Sequence, residues 1–159
     1  MEHIVDVADM KISNQAGDTI VTYSLGACIG IAIYDSQAQV GGILHYMLPD
    51  STIDNTKAES NPYMFADTGI PTLFKQAYEL GAEKSRIKVF VAGGAEFMEQ
   101  EGIFNIGRRN YSALMQILTR NNVSIWKQAV GGNLNRTVKM EIASGNIYLK
   151  TSGIGEVLL

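Results

Sequence analysis

Two stretches of this chain repeat their apolar residues with a helical period. Ile70, Leu73, Phe74, Ala77 and Tyr78 fall at i, i+3, i+4, i+7 and i+8, which predicts a helix. Asp67 or Thr68 suits its N-cap and Gly81 its C-terminal end, while Pro71 is tolerable only in a first turn. Tyr111, Leu114, Met115 and Leu118 predict a second helix, closed by Asn121 and Asn122. Elsewhere the apolar positions come in short runs rich in β-branched and aromatic residues. These predict strands over 3–7, 19–25, 29–34, 39–47, 86–91, 123–130, 137–142 and 146–150. The runs 29–34 and 39–47 read as a hairpin, and Ser144-Gly145 marks a turn between the last two strands. Residues 51–61 are polar and read as a loop. Eight strands and two helices without strict alternation predict an α+β fold: a layered sandwich of mixed β-sheets with two main helices, in one domain spanning 1–159.

Composition narrows the class. A chain of 159 residues, 46% apolar and 18% charged, can bury a core and is not disordered. The net charge of -3, with Arg108-Arg109 as its closest approach to a basic cluster, argues against a nucleic-acid partner. The longest apolar run, 27–34, falls far short of the ~20 residues of a membrane span. No basic segment followed by an apolar core opens the chain, so no secretory leader is expected. A cytoplasmic monomer without membrane insertion is the expectation.

Cys28 is the single cysteine, and His3 and His45 are the two histidines. No His/Cys/Asp spacing suggests a metal site, and neither metal nor cofactor is expected. Cys28 lies between Gly26-Ala27 and Ile29-Gly30, small residues that let a substrate backbone approach and that can aim backbone N–H groups at one point. If strands 29–34 and 39–47 pair, the end near Cys28 lies beside the far end of its partner, where His45 sits. A thiol is mostly protonated at neutral pH, and an adjacent imidazole can take that proton and later deliver one to a leaving group. A third group usually orients the imidazole, and Thr22, Ser24 and Tyr46 are all candidates. Against this stands a plainer reading: a lone cysteine in an apolar stretch also suits a small core position, and a strand histidine can simply bond to backbone. Gly93-Gly94-Ala95-Glu96-Phe97 resembles the signature of diguanylate cyclases, but Ala95 stands where that chemistry needs an acidic metal ligand. Residues 92–95 read instead as a strand-to-loop turn whose glycines permit close packing. Glu96, Glu99 and Glu101, near Phe97 and Phe104, read as a solvated loop.

Several segments, in order, carry a resemblance. They are Thr22-Tyr23-Ser24-Leu25-Gly26-Ala27-Cys28-Ile29-Gly30, Gly42-Ile43-Leu44-His45-Tyr46-Met47-Leu48-Pro49 and Phe65-Ala66-Asp67-Thr68-Gly69-Ile70-Pro71. Lys88-Val89-Phe90-Val91-Ala92-Gly93-Gly94-Ala95, Asn105-Ile106-Gly107-Arg108-Arg109-Asn110 and Val130-Gly131-Gly132 follow. Together they resemble the CheD family of chemoreceptor glutamine deamidases across nearly the whole chain. The resemblance implies an α/β/β sandwich related to the catalytic domains of deamidating bacterial toxins. It places the family's catalytic cysteine on Cys28, its histidine on His45 and its supporting threonine on Thr22. It implies hydrolysis of glutamine side chains on cytoplasmic helices of chemoreceptors to glutamate and ammonia, and a CheC-type phosphatase as a partner. Two departures stand out: Ala27 where many relatives carry serine, and Asn135 where relatives often carry glycine, a place at which positive φ would be tolerable. Two other readings stay open: a mainly non-catalytic module that regulates the phosphatase, and a cysteine amidase or peptidase acting on small molecules.

Overall fold

The structure, a computed structural model, describes residues 1–96 and 105–159. Among these described residues ten strands form two five-stranded mixed sheets. β1 (Glu2–Val5), β3 (Thr19–Leu25), β8 (Arg136–Glu141), β9 (Ile147–Thr151) and β10 (Gly155–Leu158) lie in that order in one sheet. β2 (Asp9–Ser13), β5 (Val40–Tyr46), β4 (Ile29–Asp35), β6 (Lys88–Gly93) and β7 (Lys127–Val130) lie in that order in the other. The pairs β1–β3 and β6–β7 are parallel and the rest antiparallel, so both sheets are mixed as expected.

Side chains alternate across the second sheet and divide the core in two. Ile29, Ile31, Ile33, Leu44 and Tyr46 face outward and pack against Ile70, Leu73 and Phe74 of α2 (Ala66–Glu79) and Leu114 and Leu118 of α3 (Ile106–Arg120). Ala32, Tyr34, Ile43, Phe90 and Ala92 face inward, against Ile20, Leu25, Val138, Met140 and Leu149 of the first sheet. The result is the expected α/β/β sandwich. β4 and β5 are buried at every position, as a central strand covered on both faces must be.

The differences from the sequence reading are local. β2 and β10 are additional strands: β10 lacks alternation, whereas Asp9-Met10-Lys11-Ile12-Ser13 of β2 alternates polar and apolar over only five residues. β2 is a short edge strand on β5, and all four residues of β10 are exposed. α1 (Asn55–Ser60) lies within the polar stretch 51–61. It buries nothing and is started by Asp54, whose side chain accepts from Lys57 N. α2 begins at Ala66, so Pro71 sits beyond its first turn. Neither Asp67 nor Thr68 caps it: Asp67 accepts from Ser51 N and Oγ, and Thr68 Oγ1 donates to Pro62 O. Gly81 does end the helix, at φ +104, while Tyr78 is exposed at the edge of the stripe, its ring tilted against that of Phe74. In the stretch 123–130 only β7 is strand, and Asn135 does not adopt positive φ, unlike Gly131 and Gly132. Glu96 is not a free solvated side chain, since its Oε1 accepts from Arg108 N at 2.7 Å. Phe97, Glu99, Glu101 and Phe104 lie outside the described residues. Among the described residues no helix is long and apolar enough to cross a membrane.

Candidate active site

Cys28 occupies the short link between β3 and β4. β3 ends at Leu25 and the β4 ladder begins at Ile29, paired with Tyr46, so residues 26–28 stand just outside regular pairing. Gly30 is opposite His45 in the same ladder. Cys28 and Gly30 are two apart and share a face, which makes Cys28 the diagonal neighbour of His45, ~7–8 Å away between Cα atoms. That face is the inner one: Cys28 packs against the inter-sheet core. Cys28 is partly exposed, whereas His45 behind it is buried.

Thr22 arrives from the other sheet. Its Oγ1 lies 2.8 Å from Val5 O and 2.8 Å from His45 Nδ1. A carbonyl only accepts, so the single hydroxyl proton goes to Val5 O, and Thr22 Oγ1 accepts from His45 Nδ1–H. This pair of bonds selects the imidazole tautomer, leaving Nε2 with its lone pair. That Nε2 is buried and has no hydrogen-bond partner among the described residues. Burial pulls His45 down to about 4, against the opposing pull of the Asp6 and Asp9 carboxylates, so the ring is neutral at neutral pH. Burial likewise pushes the Cys28 thiol up. The resting pair is therefore a neutral thiol and a neutral imidazole with a vacant acceptor.

The two other orienting candidates go elsewhere. Ser24 is exposed at φ +58, and Tyr46 Oη donates to Asn110 O at 2.7 Å, on the outer face of the sheet.

The backbone around Cys28 is held at three consecutive carbonyls. Gly26 O accepts from Ala95 N at 2.9 Å, Ala27 O from Asn110 Nδ2 at 3.0 Å, and Cys28 O from Gly94 N at 2.9 Å. In a trans peptide the carbonyl and the next N–H point in opposite directions, so the N–H groups of Ala27 and Cys28 turn away from those anchors. Gly93 makes the close approach possible. Its φ is +111, and a Cβ there would fall 2.1 Å from Cys28 O. This is the packing role expected for residues 92–95. An apolar groove of about 230 Å³ between α2 and α3, lined by Ile70, Phe74 and Ile117, lies on the opposite face of the sheet from Cys28.

Asn110 escaped the sequence reading except as part of a motif. The signal was present: it stands four residues before Leu114 and so continues the buried stripe of α3 as a polar residue. Among the described residues no three His, Cys, Asp or Glu side chains gather as a metal site.

Comparison with known proteins agrees with this reading at the level of family. The model for CheD chemotactic sensory transduction matches residues 47–151, a span that begins just after His45. Full-length relatives extend the match over the site. A probable chemoreceptor glutamine deamidase CheD 1 of Syntrophus aciditrophicus is 50% identical over 150 residues, 94% of either chain. Its counterpart in Solibacter usitatus is 49% identical over 94% of this chain and 89% of its own. That of Clostridium tetani is 40% identical over 97% and 93%. A crystal structure of Neisseria meningitidis protein NMB0706, of the DUF152 family, aligns with TM-score 0.44 at 8% identity, over 83% of this chain and 62% of that one, too distant to speak to chemistry. With a matching family model over most of its length and relatives at up to 50% identity along nearly all of it, this chain belongs to the CheD family.

Proposed function

We propose that this protein is a protein-glutamine deamidase of chemotaxis in which Cys28 is the nucleophile, His45 the base and acid, and Thr22 the group that orients His45. The substrate is a glutamine side chain on a cytoplasmic helix of a chemoreceptor. Cys28 Sγ attacks the carboxamide carbon while its proton passes to His45 Nε2. The N–H groups of Ala27 and Cys28 face the developing oxyanion. Because they are backbone groups, alanine at position 27 preserves them. The C–N bond then breaks, His45 returns the proton to the departing nitrogen, and ammonia leaves a thioester on Cys28. Water, deprotonated by Nε2, attacks the thioester. The C–S bond breaks, the proton returns to sulfur, and glutamate remains on the receptor. No metal or cofactor enters any step.

The observation that carries this reading is the Thr22–His45 bond between the two sheets, which leaves Nε2 with no partner among the described residues, beside a partly exposed cysteine. The relatives named above supply the reaction class. We further infer a cytoplasmic monomer that a CheC-type phosphatase binds in competition with receptors. Sedimentation and a competition pull-down test those two points.

The test of the reaction is intact-mass spectrometry of receptor cytoplasmic fragments incubated with wild type and Cys28→Ala. A mass gain of carboxamide to carboxylic acid is expected with wild type alone. Gain with both proteins removes Cys28 from its role. Receptor binding without gain from either moves the protein to a non-catalytic module acting on the phosphatase.

A further inference from the structure

Asn110 is fully buried on α3 and reaches both sides of the candidate site. Its Nδ2 donates to Ala27 O at 3.0 Å and to Met47 O at 2.8 Å. Its own carbonyl accepts from Tyr46 Oη at 2.7 Å. Ala27 immediately precedes Cys28, and Tyr46 and Met47 immediately follow His45. Only an NH2 group can face two carbonyls, so the orientation of the amide is settled by its partners. Oδ1 consequently points the other way, buried and without a hydrogen-bond partner among the described residues. A fold that needed only packing here would use an apolar side chain and avoid an orphaned acceptor.

The position explains the need. The β4–β5 ladder has Ile29–Tyr46 as its last pair, so Cys28 and Met47 lie where the two strands part. Gly94 N and Ala95 N tie the Cys28 link to the end of β6, but neither reaches β5. Among the described residues, Asn110 is the one side chain that hydrogen-bonds to the backbone on both sides of the gap.

We propose that Asn110 is a positioning residue for the reaction, its amide and carbonyl clasping the Cys28 link and the His45 end of β5 so that α3 sets the distance from sulfur to Nε2. The proposal rests on the assignment of Cys28 and His45 made above. It concerns the geometry of the pair, and Asn110 itself touches no substrate.

The experiment compares Asn110→Leu, Asn110→Asp and Tyr46→Phe with Tyr34→Phe. Tyr34→Phe is the control: it also removes a buried phenol bond, to Ile142 O at 2.6 Å, but away from Cys28 along β4. Receptor deamidation is followed for kcat and KM, and thermal unfolding is recorded alongside. Misplacing a reacting pair by about 1 Å costs ~100-fold, so kcat of Asn110→Leu is expected to fall by that order with KM within roughly threefold. Tyr46→Phe is expected to lose kcat several-fold, and Tyr34→Phe to lose thermal stability with kcat unchanged. Asn110→Asp recovers part of the loss, because a carboxyl buried against two carbonyls stays protonated and its O–H serves one of them. Its activity declines as rising pH ionises that group, a limb absent from wild type. Wild-type kcat in Asn110→Leu, or a loss confined to KM, overturns the proposal. Should Asn110→Leu fail to fold, Asn110→Asp and Tyr46→Phe decide by the same readouts.

If wild type leaves receptors unmodified, it is the deamidase reading that fails. Alkylation of Cys28 by iodoacetamide then decides on Asn110 alone. Releasing the link is expected to shift the pH profile of alkylation toward that of an ordinary thiol, and an unchanged profile in all three variants refutes the clasp.

Discussion

Replacing Thr22 by valine removes one hydroxyl and leaves the volume almost unchanged. In the folded protein that hydroxyl donates to Val5 O and accepts from His45 Nδ1–H, both at 2.8 Å and fully buried. Valine leaves two buried groups unpaired, at a cost on the order of 1–3 kcal/mol each in stability. The catalytic consequence is distinct. In the proposed reaction His45 gains a proton as Cys28 attacks, and its Nδ1–H then bonds to Thr22 as a charged donor, an interaction worth ~1.5–3 kcal/mol. Only its gain over the neutral bond already present in the resting enzyme, about 1–1.5 kcal/mol, enters kcat, so at about 1.4 kcal/mol per tenfold in rate its loss lowers kcat roughly 5- to 10-fold. KM stays near wild type, because Thr22 is buried behind the imidazole and does not meet the substrate. Loss of the Nδ1–H acceptor also lets the ring adopt the other tautomer, which cannot accept the thiol proton. Initial rates of ammonia release from a purified receptor fragment measure the effect. Thr22→Ser keeps both hydrogen bonds and is expected to retain most of the activity. A Thr22→Val enzyme with wild-type kcat would refute the role of Thr22. So would a Thr22→Ser enzyme as slow as Thr22→Val.

Three further outcomes follow from the same geometry. With His45 as the base proposed above and burial holding it down to about 4, kcat/KM is expected to stay level on acidification to about pH 5 and to fall only near 4; a decline centred near the ordinary value of ~6.5 would contradict the burial of the ring. The unfolded chain takes up that proton near 6.5 and the folded one near 4, so acidification between these values destabilises the fold while stability above 6.5 is unaffected by this group. By linkage the loss at pH 4.5 is roughly 2–3 kcal/mol, and urea unfolding at pH 7 and 4.5 should show it in wild type but not in His45→Gln. Gly93→Ala is expected to unfold at much lower temperature than Gly131→Ala: both glycines have positive φ, but only at Gly93 would the added carbon strike Cys28 O, whereas nothing lies within 4 Å at Gly131.

Much of the site was legible from local pattern. The apolar runs on either side of Asp35 and Ser36 announced the β4–β5 hairpin, and its register alone puts His45 on the diagonal from Cys28. The stripes of α2 and α3 were readable because each buries one face on the second sheet. β10 and α1 were not, since neither has a buried face and hence neither has periodicity to read. β2 is a five-residue edge strand that, among the described residues, pairs with β5 alone.

What the chain determined by itself is the juxtaposition of the two proposed reacting residues: a cysteine between small residues and a histidine seventeen positions later on a strand that returns beside it. That follows from short-range pairing, which any hairpin imposes. The choice of Thr22 over Ser24 and Tyr46 was decided only when the two sheets closed face to face, because β3 and β5 belong to different sheets and no local spacing relates them. The same holds for Asn110, 83 residues from Ala27 in the chain and 3.0 Å from its carbonyl in the fold. Nor does spacing disclose the neutral state of the pair. It comes from burial, which raises the thiol and lowers the imidazole, and burial belongs to the packed layers rather than to the residues that fill them.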